Sequence, residues 1–142
     1  MPSFTSQIPN LEAQGPVVEL QFAVPPPVQA AMQTAGTQIP SPIQVRAMID
    51  TGATGSVISQ GLAAQLSLNP IGVTYINTPS STNVRCFEYP ILLVFPNNVV
   101  FETTIIEAPL QGQHIQCLID RNVLAHSVFV YIGYGNLFSL SF

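Results

Sequence analysis

At 142 residues the chain has the length of one domain and enough residues to bury a core. Apolar residues make up 47% and charged residues only 7%, far below the ~25% charged of ordinary globular proteins, so the surface is built from Ser, Thr, Asn, Gln and Pro or is partly covered by another chain. There is no lysine, and three arginines (Arg46, Arg85, Arg121) stand against seven acids for a net charge of −4; no basic patch for nucleic acid can be assembled, and no apolar run reaches the ~18 residues of a membrane span.

Residues 1–15 are polar, carry Pro9 and Gly15, and read as a flexible tail. The opening "MPSFTSQIPN" lacks the basic start and apolar run of a signal peptide, which sets the expected compartment as the cytoplasm. "VVELQFAV" (17–24) has strand composition and ends at Pro25-Pro26-Pro27; "VQAAMQTAG" (28–36) predicts about two turns of helix closed by Gly36. "IQVRAMI" (43–49) is the next strand and leads straight into Asp50.

Beyond a loop of small residues, Ile58, Leu62 and Leu66 recur at four-residue spacing and predict one amphipathic helix over 57–67, weakened by Gly61. "GVTYI" (72–76) and "RCFEYPILLVF" (85–95) flank the turn-rich "NTPSST" (77–82) as a hairpin. "VVFETTIIE" (99–107) and "IQCLI" (115–119) read as strands, "DRNVLAHS" (120–127) as a second helix, and "VFVYIG" (128–133) with "LFSLSF" (137–142) as a closing hairpin. Short strands with regular turns indicate an all-β sandwich or barrel. Cys86 and Cys117 are too few for a disulfide scaffold and read as free thiols.

The unusual element is "RAMIDTGATGSVIS" (46–59). An apolar strand delivers one carboxylate, Asp50, into a run of Thr51, Gly52, Ala53, Thr54, Gly55 and Ser56. A lone ionised carboxylate is costly to bury, whereas small neighbours let backbones approach it and leave N–H groups free to bond it. Asp-Thr-Gly alone is also compatible with an ordinary turn at a strand end.

In context, "IDTGATGSVIS" resembles the active-site loop of aspartic proteases. "CLIDRNVL" (117–124) resembles the Ile-Gly-Arg-Asn/Asp-x-Leu segment of the single-domain, retroviral-type members, the retropepsins. "LFSLSF" resembles the terminal strand by which retropepsin subunits pair. The three features span residues 43–142 and are nearer in style to bacterial retropepsin-like proteins than to viral ones. The resemblance implies an all-β fold, a closed β-barrel with one or two short helices, formed by residues 16–142 and homodimeric.

It also implies a chemistry. Two carboxylates about 3 Å apart share one proton, so one can activate water while the other protonates the substrate. The chain holds a single Asp-Thr-Gly, and Glu12, Glu19, Glu88, Glu102 and Glu107 read as solvated charges. The second catalytic acid is then Asp50 of an identical subunit across a two-fold axis. By the family motif, Thr51 ties the two loops together, Gly52 lets the carboxylates lie coplanar, and Ala53 and Thr54 line the cleft. Thr78, Pro79, Ser80, Ser81 and Thr82 take the place of the flap tip over the substrate. Neither metal nor organic cofactor is implied; the partners are a second copy and a peptide or protein substrate, with no nucleic acid and no membrane.

Three departures stand out. The family's flap tip is glycine-rich and this one is not. Asp120 stands where the family has glycine, and is expected to cap the following helix by bonding the N–H of Asn122 or Val123. The acid with which the family pairs the equivalent of Arg121 is replaced by Thr54, leaving Glu107 or Asp120 as partners for Arg121. These departures also fit a retropepsin-fold module that binds peptides or dimerises without cleaving; a structural β-domain with an accidental motif would instead be a stable monomer.

Overall fold

The β-branched and aromatic runs form strands wherever a neighbour can take up their backbone groups. In the computed structural model, which describes residues 1–78, 80–110 and 114–142, ten strands and four short helices follow the chain: β1 (Ser3–Gln7), α1 (Leu11–Gln14), β2 (Val17–Ala23), α2 (Pro26–Thr34), β3 (Ile43–Ile49), β4 (Val57–Ile58), α3 (Leu62–Gln65), β5 (Gly72–Thr78), β6 (Ser81–Phe95), β7 (Val99–Glu107), β8 (Cys117–Ile119), α4 (Arg121–Leu124), β9 (Val128–Ile132) and β10 (Leu137–Ser141). The all-β expectation holds.

Seven strands form one sheet in the order β2-β3-β8-β4-β7-β6-β5, and it curls until β2 also pairs with β6 through Gln21, Phe22 and Ala23. Phe22, Leu20, Ile91, Leu93, Ile105 and Ile119 fill its interior. A separate three-stranded sheet, β1-β10-β9, packs against it. Phenylalanines join the two: Phe4 stacks on Phe95 at 5.5 Å between ring centres, and Phe142 lies against both Phe95 and Phe101.

Residues 1–15 are therefore not the flexible tail expected. β1 pairs along its length with β10, from Ser3↔Ser141 to Gln7↔Leu137, and α1 buries Leu11 completely. The reason is that polar Ser3, Thr5 and Gln7 alternate with apolar Phe4, a half-buried strand too short to stand out amid polar residues. The same pairing corrects a second expectation. β10 lies between β1 and β9, so both of its hydrogen-bonding edges are occupied within its own chain and neither is free to receive a second subunit.

The helix expected over 57–67 divides. Val57 and Ile58 form β4, parallel to β7 and antiparallel to β8. Gly61 then turns at φ +93°, outside the right-handed helical region, so α3 starts only at Leu62. The four-residue spacing still marks one buried face, because Ile58, Leu62 and Leu66 all reach the core. The hairpin of β5 and β6 is longer than expected, with strand pairing out to Thr78↔Ser81. Among the described residues no helix is long and apolar enough to cross a membrane, and both cysteines are free and buried.

Candidate active site

β3 runs parallel to β8, with Ile49 opposite Ile119. This pairing carries one step further: the Asp50 N–H donates to the Ile119 carbonyl at 2.8 Å. The sheet therefore delivers Asp50 to the end of an interior strand, with the backbone anchored and the residue partly exposed. The Gly52 N–H donates to Asp50 Oδ1 at 2.8 Å, and a Cβ at Gly52 would sit 3.1 Å from that same oxygen. A side chain there would crowd the carboxylate, which would have to give way by a few tenths of an ångström.

From Asp50 onward, the loop is fastened to residues 119–122. The N–H groups of Arg121 and Asn122 donate to the carbonyls of Ala53 and Thr54 at 3.1 and 2.9 Å. The Arg121 guanidinium donates through Nη2 to Thr54 Oγ1 at 3.2 Å. Ser56, completely buried, donates both its N–H and its hydroxyl to Asn122 Oδ1 at 3.0 and 2.6 Å. Its hydroxyl oxygen in turn accepts the Asp120 N–H at 2.8 Å. Asn122 completes the set by donating from Nδ2 to the Thr104 carbonyl at 3.3 Å. The result is a clasp between two segments far apart in sequence, and Asp50 opens the loop that it fastens.

Arg121 thus finds Thr54, in place of the two acids expected. A hydroxyl makes the contact at the position where the resemblance implied a carboxylate. Asp120 is a correction. It stands at the N-cap of α4, where its carbonyl accepts the N–H groups of Val123 and Leu124 at 3.1 Å each, but its side chain makes no capping bond. Its residue is 1% exposed, and among the described residues neither Oδ1 nor Oδ2 has a hydrogen-bond partner. Burial first, and the Asp50 charge second, raise this carboxyl from 3.8 to about 7, with Arg121 acting in the opposite direction. The neighbouring Cys117 thiol is pushed up, chiefly by its own burial and further by Asp120.

Sequence reasoning singled out the acid and the arginine but gave Ser56 and Asn122 no role. The available signal was Ser56 itself, the last polar residue before the apolar Val57-Ile58, where a hydroxyl can be buried only if it is bonded. Thr51 lies exposed at the surface. At the far end of the β5–β6 hairpin, Thr78 Oγ1 accepts the Ser81 N–H at 3.0 Å and Asn77 Oδ1 accepts the Asn83 N–H at 3.1 Å. Ser80, Ser81 and Thr82 are exposed, and the tip's side-chain hydrogen bonds stay within the hairpin. Pro79 lies outside the described residues.

Residues 26–88, which include β3 and the Asp50 loop, match the family model described as aspartyl protease. Over 100% of this chain and 95% of the other, the structure is similar to a retropepsin-like aspartic protease from Rickettsia conorii, with a TM-score of 0.52 at 13% identity. The chain has the retropepsin-like fold. Also similar are the EIAV protease complexed with an inhibitor (TM-score 0.45, 20% identity, 58% of this chain and 76% of that one) and the retroviral protease-like domain of Ddi1 from Leishmania major (TM-score 0.41, 13% identity, 82% of each). No curated protein matches the sequence. Asp50 lies in the strand-end loop after β3, within the stretch that the family model matches.

Proposed function

We propose that the chain is an aspartic endopeptidase that acts as a homodimer and hydrolyses peptide bonds with water activated between two Asp50 carboxylates. The observation that carries the reading is the presentation of Asp50: backbone held by Ile119, one oxygen held by Gly52, and the side chain still open to solvent. Among the described residues, the acid that feels the Asp50 charge is Asp120, and it is buried. A matched second carboxylate must come from a second copy, and a two-fold axis brings the same residue from both chains together.

With the carboxylates about 3 Å apart, like charges cannot both ionise. One proton is shared; the ionised member takes a proton from water as it attacks the scissile carbonyl, and the protonated member gives one to the leaving nitrogen. Thr51 lies exposed beside Asp50 and would bridge the two loops. The occupied edges of β10 leave β1 and β9 as the outer strands, and the exposed Val128 and Val130 supply apolar surface for the contact between subunits. β5 is the free edge of the large sheet, so an extended, largely apolar peptide can add to the hairpin as a strand, with Thr78, Ser80, Ser81 and Thr82 beside it.

The test is incubation with a peptide library between pH 4 and 7, wild type beside Asp50→Asn, with molecular mass measured in the same buffers. Cleavage should be best at mildly acidic pH and fall by ~10²–10⁴-fold in the variant, the usual contribution of a general base. Little loss in Asp50→Asn would end the proposal. Peptide binding without turnover, unchanged by Asp50→Asn, would favour a binding module instead, a reading supported by Thr54 in place of an acid and by Asp120 in place of glycine.

A further inference from the structure

Asp120 has no part in the chemistry above, and its surroundings do not suit a charge. Its carboxyl is buried, among the described residues neither oxygen has a hydrogen-bond partner, and the neighbouring Arg121 guanidinium is engaged with Thr54 Oγ1. The titratable groups facing it are Asp50 from the loop after β3, Arg121 from α4 and the Cys117 thiol from β8. A carboxylate with no partner in such a place is strongly disfavoured, whereas the neutral acid is tolerated.

Its main chain lies at the centre of the clasp. The residue before it accepts the Asp50 N–H, its own N–H is bound by Ser56, and the two residues after it hold Ala53 and Thr54. Any movement of Asp120 is therefore passed to the loop that seats Asp50.

We propose that Asp120 is a positioning residue under proton control: the neutral acid fits inside the clasp, and its ionised form draws Arg121 off Thr54 and unseats Asp50. Cleavage then shuts down as pH rises past neutrality. The inference rests on the peptidase reading for its effect on cleavage, but not for its effect on the fold. The carboxyl's titration at about 7 places the change within reach of physiological conditions.

The experiment compares wild type, Asp120→Asn and Asp120→Gly. Thermal unfolding is followed from pH 4.5 to 8.5, and kcat and KM for a cleaved library peptide are measured over the same range. Relative to Asp120→Asn, wild type should lose about 6 °C or more of Tm between pH 5 and 8, as a domain of this size does for about 2 kcal/mol. The ratio of kcat at pH 8 to its own maximum should be about fivefold higher in Asp120→Asn, with KM unchanged. Parallel Tm curves for the three proteins, or identical kcat ratios, would overturn the proposal. If Asp120→Asn does not fold, Asp120→Gly carries the comparison, because glycine also lacks the titrating group. If wild type cleaves nothing, the peptidase reading fails, and the Tm comparison alone decides whether Asp120 governs the clasp.

Discussion

Ser56→Ala tests the clasp directly, because it removes one oxygen and leaves the fold's apolar packing alone. The hydroxyl is fully buried, donates to Asn122 Oδ1 at 2.6 Å and accepts the Asp120 N–H at 2.8 Å. In the variant, Asn122 Oδ1 keeps the N–H of residue 56, so its loss is partial. The Asp120 N–H keeps nothing, and an orphaned buried donor costs ~1–3 kcal/mol. The expected destabilisation is about 2 kcal/mol in urea, or about 6 °C in Tm for a domain of this size. Activity should suffer more than stability suggests, since the clasp seats Asp50 and misplacement of a reacting group by about 1 Å can cost ~10²-fold. Ser59→Ala is the control: its hydroxyl donates to the Gln116 carbonyl at 3.2 Å from a partly exposed position, and its loss should cost under ~1 kcal/mol with kcat kept. If Ser56→Ala lies within about 0.5 kcal/mol of wild type, or loses stability with kcat intact, the clasp does not position the acid.

Other expectations follow from the same geometry. Phe4→Ala should destabilise by about 3–4 kcal/mol, because Phe4 is buried against Phe95 and Phe138; chemical denaturation giving under about 0.5 kcal/mol would mean that the first residues are a tail after all. Thr54→Asp restores an acid opposite Arg121 and should stabilise by about 0.5 kcal/mol at low salt, fading as salt is raised, read from urea curves at two ionic strengths. Stability should also follow the proton on Asp120. Its folded value of about 7 lies above the unfolded 3.8, so the folded state holds a proton that the unfolded chain has released; stability is greatest below pH 4 and is lost as pH rises towards 7. At about 1.4 kcal/mol per pH unit the interval sets a ceiling of roughly 4 kcal/mol, absent in Asp120→Asn.

Strands with strong patterns were legible, and those whose partners decide them were not. β3 and β7 fall at 43–49 and 99–107 as the apolar and β-branched runs predict, because each is long enough to declare its own period. β4 is two residues held on both sides by distant strands, a pairing that overrides the helical spacing of Ile58 and Leu62. β1 was hidden for a related reason: its sole apolar anchor, Phe4, gains meaning only from Phe95 and Phe138. At the site, Asp50 and Gly52 were legible because their chemistry is local. The roles of Ser56, Asn122 and Asp120 arise where residues 50–56 meet residues 119–122, and no local pattern reports a contact across that span.

Asp120 shows why a familiar motif cannot be read one position at a time. At an N-cap, aspartate and glycine are both acceptable, and from the sequence the exchange looked like a gain of one hydrogen bond. The clasp leaves no N–H for that bond: those of Asn122, Val123 and Leu124 are already committed to the carbonyls of Thr54 and Asp120. The carboxyl is left where glycine would have placed nothing, close enough to Asp50 for the Asp50 charge to help hold it neutral. A substitution neutral for the helix thus places a buried carboxyl beside Asp50, and on the mechanism proposed above the proton on Asp120 is what keeps the Asp50 loop seated.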